Sequence, residues 1–231
     1  MKPSSLAFAL FPLLAASCLN AAPITVTFEG LKDSEYVANY YNGGFGGSGS
    51  GPGPDYGVLF PFEQIAYIQD NHGGSAGFGG APSGITSESF YGGDGQVIQV
   101  PGGFTTGFSF YYTSPVYTGV IGVYSGLDSN SELLATMAFP TTPGGIVNGC
   151  PDNPGAYFCP FLPVGVAFSG TARSVSILLI SDVGAAGSAG FDNITFGSSI
   201  PTGPTSTPEP GSLAMLGTGL LLVSLAARNR V

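Results

Sequence analysis

The chain has 231 residues, 38 of them Gly and 19 Pro, yet 43% are hydrophobic and 12% aromatic. That excludes a fully disordered chain, which lacks the hydrophobes to fill a core. Only 8% of residues are charged, too few to coat long surface helices, so β-structure joined by Gly/Pro turns is expected. A formal net charge of −9 excludes ordinary binding to nucleic-acid phosphates.

Residues 1–21 have the layout of a secretory signal helix. Lys2 supplies a positive start, Leu6 to Leu14 is an apolar stretch broken only by Pro12, and the small residues Ala15, Ala16 and Ser17 follow. Cleavage is expected after Ala21. Cys18 raises a lipidated-cysteine signal, but Ala15 stands where such a signal usually carries Leu. The body expected at 22–199 carries Lys32 and Arg173 against thirteen acids, a net charge of −11. An acidic body suits an exported protein.

Strand signals recur through this body. Residues 24–28 alternate, which points Ile24, Val26 and Phe28 toward a core. Residues 56–60, 96–100 and 104–112 follow, with Phe108, Phe110 and Tyr112 on one face. Residues 120–124 and 133–139 flank the turn at 126–131 and predict a hairpin. Residues 164–168, 174–180 and 191–196 complete the set. The expected fold is all-β, a jelly-roll-like β-sandwich with an immunoglobulin-like sandwich as the alternative.

Several motifs carry possible chemistry. Residues 44–49 satisfy G-x-G-x-x-G, but Pro52 and Pro54 follow where a dinucleotide fingerprint needs a helix. A loop without nucleotide is expected. Cys150 and Cys159 remain as an even pair in an oxidising compartment, so a disulfide is expected. The only His, His72, sits near Asp70 in a Gly-rich loop and is expected to be solvated. Asp128 to Glu132 place oxygens at alternate positions, yet lack the Gly and distal Glu of an EF-hand. A solvated hairpin turn is expected there. Simple alternation puts Asp192 on the same face as Ile194 and Phe196. An inward carboxylate is costly unless it is paired, hydrogen-bonded or bound to metal. Asn193-Ile-Thr195 is a glycosylation sequon. Tyr40, Tyr41 and Tyr117 are expected to be exposed and able to stack on sugars.

The C-terminus divides into a Pro/Thr/Ser linker at 200–210 and a sorting or transmembrane segment at 211–231. Pro208, Glu209 and Pro210 precede an apolar run at 213–227, and Arg228 and Arg230 close the chain. The run is short beside the roughly 20 residues of a membrane-spanning helix, and the arginines suit a cytoplasmic end. This arrangement resembles the PEP-CTERM sorting signal of Gram-negative bacteria. The resemblance implies an exosortase-like membrane protease as partner and a cell-surface or extracellular-matrix destination reached through an inner-membrane intermediate.

Residues 27–31, 56–60, 123–128 with 134–136, and 191–194 are similar to the β-sandwich domains of PEP-CTERM proteins. Jelly-roll sugar-binding domains often hold a structural calcium between their first and last strands. By that resemblance Glu29 and Asp192 are candidate calcium ligands, the alternative being that Asp192 caps backbone N–H groups. The expected function is a non-enzymatic surface or matrix protein with a possible role in biofilm or exopolysaccharide association. The alternatives are a lectin-like carbohydrate-binding module and, more remotely, a polysaccharide-active enzyme.

Overall fold

The computed structural model describes residues 22–61, 63–91, 96–145, 149–180 and 188–203. The signal helix at 1–21 and the transmembrane helix at 211–231 lie outside the described residues. Eleven strands occur in these segments, in two antiparallel sheets. They are β1 (Ile24–Val26), β2 (Glu35–Tyr36), β3 (Ile65–Ile68), β4 (Thr86–Tyr91), β5 (Gln96–Phe104), β6 (Gly107–Thr113), β7 (Thr118–Tyr124), β8 (Leu133–Phe139), β9 (Leu162–Ala167), β10 (Ala172–Ile180) and β11 (Ser188–Phe196).

The larger sheet runs β2-β3-β4-β11-β6-β9, with β1 also paired to β11. The smaller runs β5-β10-β7-β8. From β4 to β11 every connection except the β7–β8 hairpin passes from one sheet to the other. The resulting orders, β4-β11-β6-β9 and β5-β10-β7-β8, are those of a double Greek-key jelly roll.

Alternation decides which faces meet. Phe108, Phe110 and Tyr112 of β6 are buried, as are Val175, Ile177 and Leu179 of β10 and Ile121 and Val123 of β7. Aromatic edges fill the space between the sheets. Phe110 meets Phe139 of the other sheet at 5.7 Å between centroids, and Phe104 meets Phe196 at 5.2 Å.

Three expectations change. Residues 56–60 form no strand and are bridged to β5 where Leu59 and Gln99 exchange backbone hydrogen bonds of 2.8 and 2.9 Å. Residues 96–104 continue as one strand through Pro101, because the β5–β10 register slips between Ala172 and Ser174, leaving the Pro101 segment bulged out of the ladder. β3 and β4 were not expected, since β4 offers Ser87, Glu88 and Ser89 in place of an apolar alternation.

Candidate functional site

Two loops far apart in sequence are stitched together over one face of the larger sheet. The first, residues 69–80, follows β3 and contains a single 3₁₀ turn at Asp70–His72. Asp33 holds it down, accepting from the backbone N–H groups of Ile68 (2.8 Å) and Ser75 (3.2 Å). Burial would raise the Asp33 pKa, but these bonds and the Ser34 hydroxyl outweigh it and hold it below the usual value. The second loop is closed by the Cys150–Cys159 disulfide, with Cα atoms 5.7 Å apart. Tyr157 and Phe158 N–H both donate to Gly77 O at 3.1 Å, and Gly79 N–H donates to Phe158 O at 3.2 Å. Asn153, itself buried, donates to Phe78 O at 3.0 Å and to the Asp70 carboxylate.

Beneath this double loop lies a cleft of about 220 Å³. Its floor is the sheet, with Tyr67 of β3, Ser87 and Ser89 of β4, and Gly190 of β11; Phe78 and Phe158 form part of its wall. Among the described residues no charged side chain lines it. The hydroxyls of Ser87 and Ser89 have no hydrogen-bond partner among the described residues. No local pattern of residues marks this site, because its members come from five segments that only the topology unites.

The Glu29–Asp192 pair sits at another junction. β1 and β4 both pair with β11, at 194–196 and 188–191 respectively. Asp192 lies in the gap between them. The register against β6 shifts between Asp192 and Thr195, and Asn193 takes a φ of 48°. This bulge corrects the expected facing. Phe191, Ile194 and Phe196 all point into the core, whereas Asp192 turns to the loop before β4. There it accepts from Ser83 N–H (2.9 Å), from the Ser83 hydroxyl (2.8 Å) and from Asn193 N–H (2.7 Å). Glu29 accepts from the N–H groups of Ile85 (3.0 Å) and Thr86 (2.8 Å). A Cβ at Gly84 would stand 2.4 Å from the Glu29 carboxyl, so only glycine fits between them. Burial raises the Asp192 pKa well above its ordinary value; the three donors oppose this and the nearby Glu29 charge adds to it. The two candidate ligands are therefore brought to one seam, where both cap backbone N–H groups. Among the described residues no three His, Cys, Asp or Glu side chains cluster as metal ligands.

Other expected residues fall elsewhere. Tyr40, Tyr41 and Tyr117 are buried, at 8%, 3% and 4% exposure, which overturns their expected place on the surface. Tyr41 packs its edge on Phe28 at 6.0 Å, because residues 37–60 fold over that end of the core. The glycine run at 44–49 wraps the protein's own buried carboxylate: Glu35 accepts from Ser48 N–H (2.7 Å), Ser50 N–H (3.0 Å) and Lys32 N–H (2.7 Å). A loop that resembles an anion cradle already holds an anion. His72 is exposed. Asp128 accepts from Asn130 N–H at 3.0 Å and from the Ser131 hydroxyl at 3.1 Å, closing the β7–β8 turn upon itself. After β11 the chain folds back across the larger sheet. Ser198 O accepts from the Ser109 hydroxyl and Thr202 O from the Asn193 amide. The first linker residues are thus bound to the body, and Pro201 is buried. Pro208, Glu209, Pro210, Arg228 and Arg230 lie outside the described residues.

The stretch beyond that strap carries the decisive comparison. Residues 206–231 match the PEP-CTERM protein-sorting motif. The PEP-CTERM match begins three residues past Gly203, the last described position, and runs to the chain end. No curated protein matches the chain. Among solved structures, the K2 adhesin domain of Lys-gingipain shares 13% identity over 76% of this chain and 99% of its own, with a TM-score of 0.47. A glycoside hydrolase family 43 arabinoxylan arabinofuranohydrolase from Bacillus subtilis shares 15% over 62% of this chain and 27% of its own, at 0.37. A carbohydrate-binding module of Cellvibrio mixtus lichenase 5A, solved with cellotriose, shares 12% over 61% and 86%, at 0.27.

Proposed function

We propose that this chain is an exported, non-enzymatic cell-surface or matrix protein of a Gram-negative bacterium, delivered through its C-terminal tail. The observation that carries the reading is the PEP-CTERM motif at 206–231, which implies export and processing by exosortase, a membrane protein. Pro208 and Pro210 interrupt regular hydrogen bonding before the apolar run, and Arg228 and Arg230 resist crossing the membrane. The tail holds the body at the inner membrane until it is cut near Pro208 to Pro210. Mass spectrometry of surface protein should find no peptide beyond that motif, and deleting the protease should leave the full chain in the inner-membrane fraction. Intact Val231 on surface protein from normal cells would replace sorting with permanent anchoring.

A second reading, a carbohydrate-binding body with exopolysaccharide as its partner, is supported by the cleft. Its aromatic and hydroxyl lining lacks an acid–base pair, which suits binding better than hydrolysis.

Calcium at the Glu29–Asp192 seam belongs to the same proposal. Calcium takes six to eight oxygens, carbonyls included. Both Asp192 oxygens already accept hydrogen bonds, so the ion would draw also on Glu29 and on nearby carbonyls such as that of Thr27, which accepts from Ser83. A hundredfold excess over Kd would add about 2.7 kcal/mol of stability. Melting with calcium and then with chelator should differ in the wild type and coincide in Asp192→Ala. Identical wild-type curves would end this part of the proposal.

A further inference from the structure

We infer that the cleft under the disulfide-closed loop is a binding site for a single uncharged sugar ring of a polysaccharide. This deepens the carbohydrate-binding reading and rests on it. Size comes first. At about 220 Å³ the cleft lies below the roughly 300–1,000 Å³ of pockets that enclose drug-sized ligands. One ring fits; a buried oligosaccharide does not, so the chain of which the ring is part must run out through the mouth.

Chemistry narrows the class. Tyr67 and Phe158 contribute aromatic surface, and Phe78 adds an apolar wall that is itself buried. Aromatic faces suit the C–H-rich face of a pyranose, which gains area without a charge partner. On the floor, Ser87 and Ser89 stand two residues apart on β4, on one face of the strand and roughly 6.5–7 Å apart along it. Each hydroxyl can both donate and accept, which is what the alternating hydroxyls of a sugar require. Ser87 is 2% exposed, and neither hydroxyl has a partner among the described residues. Hydroxyls satisfied by the protein would have nothing to offer a ligand.

Charge excludes the neighbouring class. Among the described residues no charged side chain lines the cleft, and the body carries −11. A uronate or sulfate ring would meet no cation in the cleft and would approach a repulsive field.

The wall is held in place independently of any ligand. Phe158 is fixed within a ten-residue loop by the Cys150–Cys159 bond and by main-chain hydrogen bonds to residues 77 and 79. Binding therefore needs no ordering of the loop.

The test is affinity electrophoresis of the exported protein in gels containing dextran, soluble β-glucan, mannan, galactan or alginate. At least one neutral polysaccharide should retard it, and alginate should not. Ser89→Leu, which fills the floor, and Tyr67→Ala, which removes one aromatic surface, should each weaken that binding tenfold or more while near-ultraviolet dichroism stays unchanged. If one variant fails to fold, the other decides. Retardation by a neutral polysaccharide that both folded variants retain would overturn the cleft while leaving the carbohydrate-binding reading in place. No retardation by any of the five polysaccharides would overturn both. Retardation by alginate alone would overturn the uncharged class.

Discussion

Two buried glutamates show how differently the same side chain can be housed. Glu35 accepts hydrogen bonds from Lys32, Ser48 and Ser50. Burial alone would raise its pKa, but these donors hold it below its ordinary value. Glu88 is fully buried, and both its oxygens lack a partner among the described residues; burial pushes its pKa well up. The linkage signs are therefore opposite. A depressed carboxylate stabilises above its unfolded pKa of about 4.3, and that contribution is lost as pH falls through the folded value. A raised one destabilises increasingly as pH rises from about 4.3 toward its folded value. Glu35→Gln should cost about 1–3 kcal/mol at pH 7, and Glu88→Met should gain a similar amount. Both differences should shrink in acid. Chemical denaturation at pH 7 and pH 4 measures them. A loss on Glu88→Met at pH 7 would mean that Glu88 has a partner on which the fold depends.

At the scale of elements, the disulfide loop joins stability to the cleft. Closing so short a loop contributes roughly 2–3 kcal/mol in the chain-entropy model. Cys150→Ser with Cys159→Ser should lower stability by about that amount. It should also release Phe158 and weaken retardation by neutral polysaccharide. A double variant that melts lower but binds as before would separate the loop from the cleft.

Elements also show what was legible in the sequence. Strands with a dry face and a wet face, such as β7, β8 and β10, declare themselves by alternation. So does the hairpin, whose Asp128 turn is local. β4 did not, because its core-facing residue beside Ala66 and Phe191 is Glu88. The facing of Asp192 was lost to a bulge that no periodicity announces. Tyr40, Tyr41 and Tyr117 looked like surface aromatics because loop composition says nothing about what a loop covers. The cleft was illegible for the reason that defines it: Tyr67, Ser87, Phe158 and Gly190 meet only after β3, β4 and β11 have paired and two loops have docked.

At the scale of the whole molecule, the last strand is the one the larger sheet is built around. β11 pairs with β1, β4 and β6, and the strap that follows it binds Ser109 and Asn193. Without β11, β1 pairs with no other strand among the described residues, and the β2-β3-β4 ribbon is severed from β6 and β9. A chain threaded across a membrane from its N-terminus can therefore pair β2-β3-β4, β6-β9 and β5-β10-β7-β8 beforehand, but cannot join the first two into the larger sheet until residues near 196 have passed. Such order makes the contacts long-range and the folding slow. It also keeps the larger sheet incomplete for almost the whole passage. What remains behind at that moment is only the segment that carries the sorting motif, so the arrival of the address and the closing of the fold are nearly one event.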